Sequence, residues 1–277
     1  GFIMTRLKTE WITYMLDGMK DYNRELQKKT GTDLSGLIMR TFGVSQEEYE
    51  ASKESHRAAV IPVTQGEGII GSFSESVAAI TESAGFETVV TEHTDIDGIY
   101  DAVRSGCDIL FFADDSRYLA MNIRQGKISD NNYATALGFV EILSAMAEKY
   151  GKNLKEEKLL QIGCGIVGKE AAEILTSRGI PFDLYDKNPD AVSKLTDFSG
   201  RVISDRAEIR NYPFVLDFTN EGGWLHRENL LEDVLYASPG VPYSIDTDAA
   251  PCFEGRSVHD NLEIGTAIML GEVLFGK

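Results

Sequence analysis

The 277-residue chain has few residues suited to covalent cross-linking or metal binding: three cysteines and four histidines. Cys107, Cys164 and Cys252 are odd in number and show no CxxC spacing, which excludes a disulfide framework and a cysteine-ligated zinc site. His56, His93, His226 and His259 form no HxH or HxxxH pair, so no metal is expected. Basic residues are also scarce, with 27 Lys and Arg against 44 Asp and Glu and a formal net charge of −17. A polyphosphate partner needs a basic surface, so nucleic acid is excluded. The acidity serves solubility or a cationic substrate. No apolar run approaches the roughly 20 residues that span a bilayer. The stretch after Met4 is charged and mixed, unlike a secretory signal, so a cytoplasmic protein with reduced thiols is expected. Neither an internal repeat nor a low-complexity segment is found.

The remaining sequence has the composition of a packed globular protein, 43% hydrophobic and 26% charged, and its length suits two domains. Thr5 to Lys29 reads as one amphipathic helix. Its stripe of Trp11, Tyr14, Met15, Met19, Tyr22 and Leu26 belongs to a core or to the face of a homodimer. A shorter helix capped by Asp33 follows near Leu37–Phe42. From Ala58, apolar strands alternate with helices: strands at 58–63, 87–91 and 107–112, helices at 74–82 and 97–105. A long helix over 132–150 links to a second series of strands near 159–161, 182–185, 201–204, 214–218, 234–236 and 256–259, closed by a helix from Glu263. This alternation predicts an α/β protein of two domains with parallel sheets. Residues 1–145 form a helical plus α/β substrate domain and 146–277 a Rossmann-type domain.

The chemistry of the second half is carried by Gly163-Cys164-Gly165-Ile166-Val167-Gly168, which follows a strand and opens a helix. The three glycines permit a tight turn, close approach of backbone to a pyrophosphate, and close helix–strand packing. The free N–H groups of Gly165, Ile166 and Val167 would then meet the phosphates at the helix N-terminus. The next strand ends at Asp186, whose carboxylate would take the ribose hydroxyls and repel a 2′-phosphate, selecting NAD over NADP; Lys187 beside it works against that choice. Two further strand ends, Asp217–Gly223 with Thr219 and Ala237–Pro242 with Ser238, Pro239 and Gly240, edge the nicotinamide side or are structural turns. Gly66-Glu67-Gly68-Ile69-Ile70-Gly71 matches the same spacing, but Glu67 would oppose a pyrophosphate and Ser72 and Ser74 intervene before the helix. That loop is read as holding something other than a dinucleotide. Asp114-Asp115 ends a strand and could hold ammonium groups or cap a helix from Ser116; Asn131 and Asn132 offer amide contacts or a cap.

The run Pro62-Val63-Thr64-Gln65-Gly66-Glu67-Gly68-Ile69-Ile70-Gly71-Ser72-Phe73-Ser74-Glu75-Ser76 resembles the pyrrolysine synthase family. Ala113-Asp114-Asp115, Asn122, Gly126-Lys127-Ile128, the Gly163–Gly168 fingerprint, Ser238–Pro242 and Ile264-Gly265-Thr266-Ala267 follow in the family's order. The resemblance implies an NAD-dependent enzyme acting on an amine-rich small molecule, L-lysine carrying 3-methyl-D-ornithine on its side-chain nitrogen. It implies oxidation at the carbon bearing the ornithine's terminal amine, loss of ammonia and closure of a pyrroline ring. It places Asp114 and Asn131 at the amine-bearing end as catalytic and binding residues, with Val63, Thr64, Gln65, Ser72, Phe73 and Ser74 wrapped around the rest. Gln65, Glu67 and Asp217–Gly223 depart from the family's pattern.

Overall fold

The computed structural model describes residues 7–277. In chain order the elements are α1 (Thr9–Ile12), α2 (Met15–Thr30), α3 (Leu34–Phe42), α4 (Gln46–Ser55), β1 (Ala58–Val60), α5 (Phe73–Ser83), β2 (Thr88–Val90) and α6 (Asp95–Arg104). These are followed by β3 (Ile109–Ala113), β4 (Tyr118–Asn122), β5 (Lys127–Asp130) and α7 (Asn131–Lys149). The second series is β6 (Leu159–Ile162), α8 (Ile166–Ser177), β7 (Asp183–Tyr185), α9 (Pro189–Val192), β8 (Val202–Ile203), β9 (Phe214–Asp217), β10 (Leu235–Ser238), α10 (Ala250–Phe253), β11 (Ser257–His259) and α11 (Glu263–Phe275).

Two compact units result. The first holds the chain up to Glu25, residues Asp33–Ala134 and the terminal segment Leu262–Lys277; the second holds Leu26–Thr32 and Thr135–Asn261. The terminal helix, expected with the dinucleotide-binding half, is therefore part of the first unit. Its residues are mostly apolar, and eleven of its thirteen are buried. It packs on α3, α5, β4 and β5.

The first unit's sheet has the order β2-β1-β3-β4-β5. β2, β1 and β3 are parallel, but β4 and β5 run antiparallel to their neighbours. This corrects the expectation of a purely parallel sheet. The connections Asp114–Arg117 and Ile123–Gly126 are too short for a crossover and permit only hairpins. The helix considered from Ser116 is thus a strand. Helix α4 was also not anticipated: its sequence is nearly all polar and only Tyr49 and Ser52 are buried, so no apolar period announces it. The expected N-terminal helix is broken at Thr13–Tyr14, and its first two residues, Thr5 and Arg6, lie outside the described residues. Of its stripe, Met15, Met19 and Leu26 are buried in the core, Trp11 and Tyr22 are half-buried, and Tyr14 is exposed. Asp33 caps α3 as expected, accepting the Gly36 N–H at 2.8 Å.

The second unit's sheet is parallel throughout, with the order β11-β10-β9-β6-β7-β8. Numbered from β6, this is the 3-2-1-4-5-6 order of a doubly wound sheet, whose ligand crevice opens where the order reverses, between β6 and β9. Leu160, Ile162, Val215 and Tyr236 of the sheet share a core with Phe253 of α10. Among the described residues no helix is long and apolar enough to cross a membrane. No group of three His, Cys, Asp or Glu side chains comes together among them in a manner that could hold a metal ion.

Candidate active site

The fingerprint loop leaves β6 at the switch point. Gly163 has φ +88°, which strains any other residue, and a Cβ there would crowd Thr219 Cγ2 at 3.1 Å and the Phe218 carbonyl carbon at 3.2 Å in the loop after β9. Gly168, in the first turn of α8, would place a Cβ 2.5 Å from the Gly163 carbonyl oxygen. Buried Gln161 ties both ends by donating to the carbonyls of Gly163 (3.0 Å) and Gly168 (2.7 Å). Gly165 differs. A Cβ at this position would meet no protein atom within 4 Å, so packing within the protein does not demand glycine there. A pyrophosphate drawn against the backbone at the head of α8 does. The residues present therefore fit a dinucleotide.

Asp186, one residue past β7, accepts the Cys164 N–H at 2.6 Å on Oδ2 and the Asn188 N–H at 2.7 Å on Oδ1. Each oxygen retains a lone pair for a ribose hydroxyl. Burial pushes the neighbouring Cys164 thiol up to about 11, so it stays protonated.

At the other two strand ends, the residues named from the sequence are held by Tyr236 and His259, which sequence reading did not single out. Asp217 at the end of β9 is wholly buried and accepts from Thr219 N (2.9 Å), Thr219 Oγ1 (2.6 Å) and Tyr236 Oη (2.5 Å). Burial raises the pKa of this carboxyl, and those hydrogen bonds oppose the shift. Gly240 lies close on Thr219, since a Cβ would fall 2.0 Å from the Thr219 carbonyl oxygen. The Gly240 N–H donates to Ser238 Oγ at 3.1 Å, and its carbonyl accepts from His259 Nε2 at 2.5 Å. His259, the last residue of β11, stacks on Tyr243 with centroids 4.1 Å apart, and burial lowers its pKa below the ordinary 6.5. The histidines were weighed from the sequence only as metal ligands; the parallel register placing Ser238 opposite His259 brings this one to the turn.

In the first unit a cleft opens at the carboxyl ends of β1 and β3. Val63, Phe73, Ser74 and Asp114, all named from the sequence, line it together with Ile61, Pro62, Ile69, Ile70 and Leu7. Asp114 Oδ1 accepts from Ser116 N (2.8 Å) and Arg117 N (2.9 Å), so it shapes the β3–β4 hairpin while facing the cleft. Its neighbour Asp115 has a different task. Its Oδ2 accepts the Glu67 N–H at 2.6 Å and fills the space under Gly66, where a Cβ would lie 2.1 Å away. The second glycine run is thus a tied loop ahead of α5, which begins only at Phe73. Thr64 is held by Asp95 through N (2.9 Å) and Oγ1 (2.7 Å). Those two hydrogen bonds lower the Asp95 pKa. Gln65 is exposed, Ser72 takes a left-handed turn with φ 67°, and Asn131 opens α7 with Nδ2 3.5 Å from Met269 Sδ. Thr64, Gln65, Ser72 and Asn131 are not among the residues lining the cleft.

The profile of the N-terminal domain of the pyrrolysine biosynthesis protein PylD matches residues 12–129. Pyrrolysine synthase of Methanosarcina barkeri is 31% identical over 260 residues, covering 93% of this chain and 96% of the relative. The chain belongs to the pyrrolysine synthase family. The Methanosarcina acetivorans pyrrolysine synthase is 30% identical over the same length, covering 98% of that relative. Among solved structures, shikimate 5-dehydrogenase from Thermus thermophilus in complex with NADP(H) and shikimate shares the fold, with a TM-score of 0.51 at 17% identity over 80% of this chain and 94% of that one. Shikimate dehydrogenase from Aquifex aeolicus gives 0.50 at 12% identity over 81% and 94%.

Proposed function

We propose that this family member is an NAD-dependent enzyme that oxidises the terminal amine of L-lysine-Nε-3-methyl-D-ornithine and releases pyrrolysine. The observation that carries the reading is Gly165, a fingerprint glycine that no contact within the protein explains, in a loop whose Cys164 N–H ends on Asp186. In this reading Gly163, Gly165, Ile166, Val167 and Gly168 cradle the pyrophosphate and Asp186 takes the ribose diol. Thr219, Ser238, Pro239 and Gly240 edge the nicotinamide. Bound NAD supplies the acceptor for one hydride. Asp114 holds the ammonium end of the substrate, and the apolar lining around Ile69 and Ile70 excludes water from its carbon chain.

The chemistry balances without a further oxidant. The CH–NH2 carbon loses a hydride to NAD and its nitrogen a proton, giving an imine. The ornithine α-amine adds to that carbon, and ammonia leaves as the five-membered cyclic imine forms. Alignment of amine and carbon within a closed cleft lowers the barrier to ring closure. The decisive assay incubates the purified chain with NAD and the lysyl-Nε-methylornithine. Growth of absorbance at 340 nm with a product lighter by two hydrogens and one ammonia is expected. Reduction of NAD with free amino acids alone would overturn the substrate assignment in favour of a different amine dehydrogenase.

A further inference from the structure

The ribose end of the proposed NAD site contains a second charged pair that the reading above does not use. Lys187 follows Asp186 in the loop after β7, and its Nζ forms an ion pair with Glu221 Oε2 in the loop after β9. These loops flank the β6 fingerprint on its two sides, so the pair spans the crevice where the adenosine half of a dinucleotide would rest. Both side chains are more than half exposed, so the pair adds little to stability. It does govern local charge. A lysine next to the ribose carboxylate is the kind of residue that accepts a 2′-phosphate, and alone it would erode selection against NADP.

We propose that Glu221 is a specificity-determining residue for the cofactor: by engaging Lys187 it withholds that cation from a 2′-phosphate. The inference rests on the cofactor placement proposed above. A 2′-phosphate arriving at this edge meets the carboxylate of Asp186, with Lys187 already paired, and the like charge disfavours it. An unphosphorylated ribose meets no such opposition and finds an acceptor in Asp186.

The test is calorimetric titration of the intact chain with NAD and with NADP, together with kcat/KM for each. In Glu221→Gln the ratio of NADP to NAD affinity is expected to rise about fivefold, the scale of one exposed charge contact near a phosphate. In Glu221→Gln/Lys187→Met the rise is expected to vanish, because the freed cation is its cause. An unmoved ratio in the single variant, or an equal rise in the double variant, overturns the inference while leaving NAD binding as proposed. A wild-type chain that binds neither nucleotide overturns the cofactor placement, and this inference with it.

Discussion

Gly165 and Gly168 stand three residues apart in one motif, yet opposite physical demands hold them. Gly168 is held by the protein: a methyl group there would lie 2.5 Å from a backbone carbonyl that Gln161 also fixes, and neither can retreat cheaply. Gly168→Ala is expected to cost about 1–3 kcal/mol of stability, as overpacking does, read from the midpoint of urea unfolding. Gly165→Ala meets nothing within 4 Å and has an ordinary φ of −75°, so its unfolding midpoint should match the wild type. Its NAD affinity should nevertheless fall at least about tenfold, because the methyl group would stand where the proposed pyrophosphate approaches. A stability loss at Gly165 as large as that at Gly168 would show that its glycine is structural. Sequence spacing alone gives the two positions equal weight; only the contacts separate them. The same limit applies to Asp114-Asp115. The residues announce a carboxylate pair at a strand end, but only the fold sends one to the cleft and the other beneath Gly66.

Loops acquire their shape from tethers distant in sequence, which makes them the least legible parts of the chain. The loop over Thr64–Gly71 is pinned by Asp95 at one end and Asp115 in the middle. Removing the Asp115 acceptor frees Ile69 and Ile70 from their place over the cleft, so Asp115→Ala should raise the substrate KM about tenfold without altering NAD affinity. Asp115→Asn keeps an oxygen acceptor and should restore most of the loss; equal defects in both variants would defeat this account. Strands and helices with an apolar period were legible, but the β4–β5 hairpin and polar α4 were not, since neither carries a clear period. The turn after β10 is likewise fixed by His259 from β11, packed on Tyr243 and acted on by the charge of Lys29. Burial disfavours the charged form of this imidazole and lowers its pKa. As pH falls through the ordinary 6.5, the unfolded chain takes up a proton that the folded chain refuses, so stability declines until the lowered folded pKa is reached. His259→Gln should flatten the loss of urea midpoint between pH 7 and 5.5 relative to wild type. Identical slopes would mean that the ring titrates freely in the fold.

At the scale of the whole molecule, the cut between the two compact units does not follow the chain. A contiguous division near 145 is the natural reading of alternating strands and helices, because nothing in residues 263–275 says which sheet they will cover. The packing of α11 decides it: Tyr118 Oη lies 2.8 Å from Thr266 Oγ1, and Asn122 Nδ2 donates to the Val273 carbonyl at 2.9 Å, so the last helix fastens β4. Ile264, Ile268, Met269, Leu270 and Val273 are all wholly buried. At about 1.5–3 kcal/mol for each such side chain, they contribute on the order of 10 kcal/mol, comparable to the entire stability of a typical domain. A chain ending at Asn261 is therefore expected to lose protection from hydrogen exchange throughout β1–β5 while β6–β11 stay protected. Under the proposed function, NAD should still bind to it, and the proposed lysine–ornithine substrate should not. Adding a peptide of residues 262–277 should recover part of the lost protection. If β1–β5 remained protected without α11, the first unit would be stable on its own N-terminal residues, and the terminal helix would be a surface addition rather than part of its core.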